Sequence, residues 1–284
     1  MSYNLLKGKR GIIFGALNED SIAWEVAKKA HEEGANFVLT NAPIALRFGK
    51  IDELGKLCNA EIIPADVTSL DDLENLLTKS QEILGGKLDF ILHSVGMSKN
   101  VIKRRDYTDL NYKDFMHAMD VSAVSFHKLL QSAKKLDAIN EYGSVLTLSY
   151  IGAQRVFTTY GDMTQAKAML ESIVRSFGLH YGLEKKVRIN SISQSPTKTT
   201  AGKGIKGFDS FYHFAGKMSP LGNAKADECA NYCITLFSDL TRMVTMQNLF
   251  HDGGFSSTGI SYEVLKHYRP DCECIKHDLR DDVD

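Results

Sequence analysis

This chain of 284 residues is short of the features that would class it at a glance. Positive and negative charges nearly cancel, with a net charge of −1. Nothing in that balance would grip nucleic acid or an anionic membrane surface. No apolar run approaches the ~20 residues needed to cross a bilayer, and the N-terminus has no signal-peptide pattern. Cysteine is sparse and odd in number: Cys58, Cys229, Cys233, Cys272 and Cys274 form no disulfide framework. The expected setting is a reducing cytoplasm. Proline is rare and there is no low-complexity linker or internal repeat, so a single domain over residues 1–268 with an acidic tail, 269–284, is the simplest organisation. Cys272, Cys274 and His277 in that tail fall short of a four-ligand set and are interleaved with acids, so no metal is expected. The G-x-G-x-x-G dinucleotide fingerprint is also missing.

What the chain does have is a repeated alternation of short apolar runs with helical periodicity. Residues 11–14 open onto Gly15, and Ile22, Val26, Ala27 and Ala30 then recur at helical spacing. Strand, glycine turn and helix make the first unit of a dinucleotide fold, where backbone N–H groups and the helix dipole favour a pyrophosphate. Ser21 opens that helix and reads equally as an N-cap. Glu19 and Asp20 are unwelcome beside a phosphate and must point away. Further strands are predicted over 36–40, 61–64, 88–92, 144–148, 187–192 and 246–251, with helices over 70–83, 112–136 and 226–237. The pattern argues for an α/β, Rossmann-type doubly wound parallel sheet flanked by helices on both faces. Asp66 at the end of the third run suits either a local cap or an adenine contact. His93, at a strand end, reads as structural.

The stretch from Tyr150 to Lys167 concentrates polar groups where such a sheet binds ligands, just beyond a strand's C-terminal end. Apolar spacing predicts a helix from Thr158. At about 100° per residue Tyr160, Met163 and Lys167 would then share a face. The phenol and the ammonium would be about 10 Å apart along the axis, flanking one bound molecule. Residues 197–219 are rich in Thr, Gly and aromatics. They fit a mobile substrate lid and a surface helix with a core-facing aromatic stripe equally well.

Gly15 through Ala23, Ala65-Asp66-Val67, His93 through Gly96, Leu146 through Ala153, Tyr160-x6-Lys167, Arg188 through Ser193 and Asp252 through Phe255 resemble the divergent short-chain dehydrogenases that serve as bacterial enoyl-acyl-carrier-protein reductases. The likeness runs from about Leu6 to Phe255. Its most specific element is a spacing: ordinary short-chain dehydrogenases place tyrosine four residues before lysine, where this chain has Met163. The tyrosine lies earlier, at Tyr160, with a partner ten residues before it at Tyr150.

The resemblance implies reduction of a trans-2-enoyl thioester on acyl carrier protein, the last step of the type II fatty acid elongation cycle. It implies Tyr150, Tyr160 and Lys167 as catalytic residues and Ser98 as a substrate contact. Cofactor positions by the same likeness are Gly15, Ser21, Ile22, Ala42, Asp66, Val67, Val95, Lys167, and Thr197, Lys198, Thr199, Thr200 and Ala201. NADH is expected because no basic pair follows the second strand, while Arg47 leaves NADPH possible. A homotetramer is implied, and Lys203, Lys206 and Lys217 are candidates for docking the acidic carrier. Gln194-Ser195 and Thr197-Lys198 depart from the family's usual residues at the nicotinamide pocket. A carbonyl or alcohol dehydrogenase of the same fold and a non-catalytic NAD(H)-sensing regulator are the competing readings.

Overall fold

The computed structural model describes residues 2–268; the tail with Cys272, Cys274 and His277 lies outside the described residues. Six strands, β1 (Arg10–Phe14), β2 (Asn36–Thr40), β3 (Leu88–His93), β4 (Ile139–Ser149), β5 (Arg188–Gln194) and β6 (Asn248–His251), form one parallel sheet in the order β2-β1-β3-β4-β5-β6. The helices are α1 (Ile22–Glu32), α2 (Pro43–Leu46), α3 (Ile51–Cys58), α4 (Leu70–Leu84), α5 (Lys99–Ile102), α6 (Tyr112–Met119), α7 (Ser125–Lys135), α8 (Met163–Lys185), α9 (Thr200–Lys203), α10 (Phe208–Met218), α11 (Ala226–Phe237) and α12 (Tyr262–Leu265).

Alternation along the strands assigns the faces. Ile12, Phe14, Ile91 and Val145 join Leu73, Leu77, Phe126, Leu130 and Leu170 in one core, under α4, α7 and α8. Their neighbours Ile13, Phe90, Leu92 and Leu146 join Trp24, Val26, Leu54, Cys229 and Phe237 in another, under α1, α3 and α11. Helices thus cover both faces, as a parallel sheet requires.

Three predicted elements differ. The strand over 61–64 shrinks to a single bridge, Leu39 to Ile62, although Ile63 N and Ala65 N still donate to Leu39 O and Asn41 O. The helix predicted over 112–136 carries a π-helical turn at Asp120–Val124. There Ser122 Oγ accepts from Met97 N at 3.0 Å, tying the bulge to the loop after β3. The helix predicted from Thr158 begins only at Met163, because Gly161 sits at φ +50°, outside helical space. Tyr160 therefore lies on the turn before α8 and not on its face.

Candidate active site

The sheet's strand order reverses direction between β1 and β3, and their C-terminal ends frame a crevice. Gly15 is left-handed at φ +90°, and a Cβ there would stand 1.9 Å from the carbonyl oxygen of Ser94. Only glycine lets the two loops come this close. The resulting cradle of backbone at the head of α1 suits a dinucleotide's pyrophosphate.

Ser21 has the backbone of an N-cap, but its hydroxyl serves the turn instead, accepting from Leu17 N at 3.1 Å and Asn18 N at 3.2 Å. The two acids of the turn are neutralised by partners: Glu19 pairs with Lys50 at 2.8 Å, and Asp20 with Lys203 at 2.7 Å. Asn18 Nδ2 also donates to Thr200 Oγ1 at 3.0 Å, so α9 is bonded to the turn across 182 positions of sequence. Asp66 holds its own loop, accepting from Thr68 N at 2.9 Å and Thr68 Oγ1 at 2.7 Å. Val67 is buried in the first core and Val95 packs against it. Ala42 and Ile22 flank the crevice as half-buried residues at the heads of α2 and α1, and Arg47 is exposed. Thr197 Oγ1 donates to Ser195 O, Thr199 caps α9, Lys198 lies over the Tyr212 ring at 4.6 Å, and Ala201 is exposed.

Tyr150 and Tyr160 come together, ring centroids 5.1 Å apart and planes at 67°. Gly152 is their floor: a Cβ there would be 2.9 Å from each ring. The Tyr150 hydroxyl is buried, with no hydrogen-bond partner among the described residues. Burial, then the neighbouring Tyr160 and Asp252, push its phenol well above the ordinary value. Burial does the same to Tyr160. Both are neutral donors at pH 7. Lys167 is 8% exposed and its Nζ donates to Leu148 O at 2.7 Å. Burial lowers this ammonium to about 8, with Glu171 opposing the shift. Glu171, one turn on, accepts from Ser149 Oγ at 2.7 Å and Gln154 Nε2 at 3.2 Å. The Lys167 Nζ lies 3.6 Å from where a Gly96 Cβ would stand, so that loop adjoins the ammonium. His93 is buried between Ser125 and Thr147, and burial together with the Lys167 charge lowers its imidazole to about 3.

Above the phenols, Phe211 of α10 packs on Phe157 at 5.1 Å and Tyr150 at 6.3 Å, and Phe255 closes the group. Of the aromatics in 197–219, Phe211 thus meets Tyr150, while Phe208 packs on Tyr212 and Phe214 is exposed. Gln194 bonds His251 Nδ1 at 2.7 Å, and Ser195 Oγ accepts from Ala224 N at 2.8 Å, fixing the base of this segment. Ser98 does not present a free hydroxyl: it donates to Asp162 Oδ1 at 2.5 Å and accepts from Val101 N. Sequence reasoning missed Gly152, Asn18, Glu171 and Asp162. A glycine two residues after Tyr150 was the one visible signal; the others depend on partners distant in the chain.

A doubly wound parallel sheet with a tyrosine–lysine pair at its carboxyl edge defines a dinucleotide-binding protein of short-chain dehydrogenase type. The chain belongs to the Enoyl-(Acyl carrier protein) reductase family, whose model matches residues 15–256. It is similar to the enoyl-acyl-carrier-protein reductase (NADH) 2 of Rhizobium meliloti, 35% identical over 267 residues that cover 92% of this chain and 97% of that one. It is also 36% identical to the FabI enoyl-acyl-carrier-protein reductase (NADH) of Rickettsia bellii, over 91% of this chain and 98% of that one. Among solved structures, the FabI–NADH complex of Alistipes finegoldii superposes with a TM-score of 0.93 at 59% identity, covering 95% of each chain.

Proposed function

We propose that this protein reduces trans-2-enoyl thioesters carried on acyl carrier protein, using NADH, as the last step of type II fatty acid elongation. The observation that carries the reading is the pair of neutral phenols stacked over Gly152 beside a buried ammonium. The Gly15 cradle and the unpartnered Tyr150 hydroxyl fit a bound nicotinamide dinucleotide and an acyl group. When bound, the nicotinamide supplies a hydride for the β-carbon of the enoyl group.

Tyr160 donates a hydrogen bond to the thioester oxygen as negative charge gathers there, the role of an oxyanion donor. A raised pKa keeps its proton in place for that purpose. Lys167 is assigned to the nicotinamide ribose hydroxyls, and below pH 8 its charge adds a favourable field. Tyr150 lines the acyl end beneath Phe211. Gly15, Ser21, Ile22, Ala42, Asp66, Val67, Val95 and residues 197–201 are assigned to the cofactor, with 197–219 as the lid of a single domain, 1–268. NADH is favoured over NADPH because Ala42 brings no cation and Lys50 is engaged by Glu19. A groove of about 360 Å³ between Arg104 and lid residues 203–210, carrying Lys203 and Lys206 with one acid, Asp209, is basic on balance and suits the acidic carrier. There Lys206 is the stronger candidate, since Lys203 is paired with Asp20 and Lys217 contacts His267. Assembly as a homotetramer in the cytoplasm completes the proposal.

The test is a paired assay, a trans-2-enoyl thioester with NADH or with NADPH. Faster oxidation of NADH is expected. Turnover of 3-ketoacyl thioesters with none of the enoyl substrate would replace the reading with a carbonyl reductase, and tight NADH binding without any turnover would make the protein a sensor.

A further inference from the structure

Asp162 is wholly buried, yet among the described residues no cation pairs with it. Its carboxylate accepts from Ser98 Oγ at 2.5 Å and from Asn100 Nδ2 at 2.7 Å. Both donors are aimed by bonds of their own. Ser98 Oγ accepts from Val101 N, which holds the hydroxyl beside the Asp162 oxygen to which it donates. Asn100 is clasped by the backbone of Asn111, its Oδ1 accepting from Asn111 N and its Nδ2 donating to Asn111 O. It cannot turn its amide over without losing both. Two donors aimed at one buried point call for two acceptors, and the side chain of Asp162 offers one oxygen to each.

The residue occupies the N-cap position of α8, and its carbonyl accepts from Ala166 N at 3.1 Å, but its side chain makes no capping bond to the helix, the usual task of an aspartate there. The positive end of that 23-residue helix favours a carboxylate at this position, while its oxygens reach across to Ser98 and Asn100 at the head of α5. Two residues back stands Tyr160, on a turn opened by Gly161, where a Cβ would touch Val101 at 3.4 Å. Tyr160 also packs against the cluster of Val101, Met119 and Met163.

We infer that Asp162 is a positioning residue: by bonding Ser98 and Asn100 it fixes the Tyr160 turn against the loop after β3, and so sets where the phenol meets the thioester oxygen. The inference rests on the proposed enoyl reduction. Asp162→Asn keeps the shape but turns an N–H₂ either toward the fixed Asn100 amide or toward Ser98 Oγ, whose own proton then loses its acceptor. A phenol out of place by a fraction of an ångström slows the chemical step without touching the dinucleotide cradle. The expected result is a kcat lowered by about 10- to 100-fold with KM for NADH unchanged, and a larger isotope effect with deuterated NADH. In carbon-13 tyrosine spectra the Tyr160 resonance, assigned through Tyr160→Phe, should move while resonances of distant tyrosines hold. Ser98→Ala, which removes one donor, serves if Asp162→Asn does not fold and should give the same signature more weakly. A folded variant with wild-type kcat, or with its Tyr160 resonance unmoved, overturns the inference. If the wild type reduces no enoyl thioester, the proposed activity fails, and the resonance still decides whether Asp162 places Tyr160.

Discussion

Replacing Lys167 with methionine should make the protein more stable while ending its activity. The ammonium is 8% exposed, and burial brings it from an ordinary 10.5 down to about 8. Holding it charged at pH 7 therefore costs roughly 3 kcal/mol. Methionine fills the same space without charge, but leaves Leu148 O without its donor, at a cost of about 1–2 kcal/mol. The net gain at pH 7 is about 1–2 kcal/mol, or a rise of about 2–6 °C in Tm for a domain of this size. The sign with pH follows from the depressed value. Between pH 8 and 10.5 the unfolded chain holds the lysine proton and the native chain does not, so wild-type stability rises there by up to about 1.4 kcal/mol per pH unit. The variant lacks that rise, and its advantage must shrink toward pH 10. Thermal unfolding of both proteins without cofactor, at pH 7 and pH 10, measures this. A variant less stable at pH 7, or an advantage equal at both pH values, would refute the buried-charge account of Lys167.

Tyr160→Phe removes the proposed donor alone and should lower kcat about 100-fold while the Kd for NADH is unchanged, as read by steady-state kinetics and fluorescence titration. A loss of NADH affinity of the same size would move Tyr160 into the cofactor site. His93, lowered to about 3 by burial and by Lys167, binds no proton in the native protein until well below its unfolded value of 6.5. Stability should fall as pH drops below 6.5, with this residue adding up to about 1.4 kcal/mol per unit. In His93→Gln the slope between pH 6.5 and 5 should be shallower by that amount in denaturant titrations, and an unchanged slope would count against a neutral buried imidazole. Lys206→Glu should weaken activity on carrier-bound substrate and spare the coenzyme A thioester; equal effects on both would remove the groove from carrier docking.

Much of the scaffold was legible because it follows from short-range pattern. Short apolar runs at 11–14 and 88–92 marked buried strands, and the Gly15 turn marked the crevice, while the division of the strands between two faces came with the fold. Where the reading failed, apolar pattern was not enough. The run at 61–64 stayed a single bridge despite its apolar content, and the left-handed Gly161 delayed a helix whose apolar spacing reached back to Thr158. The π turn at Asp120–Val124 has no proline or glycine to announce it. Pairings such as Asp20 with Lys203 and Glu171 with Ser149 join residues far apart in the chain, and only the folded protein brings them together.

That delayed helix start changes how the site responds to disturbance. With phenol and ammonium on one helix, their separation would be set by helical pitch and would resist almost any mutation. Here the ammonium rides on α8, while the phenol rides on a turn braced by the loop after β3. The reactive geometry is a tolerance between two separately mounted parts, so wear in the mounting of one should show as a slower enzyme long before it shows as an unstable protein.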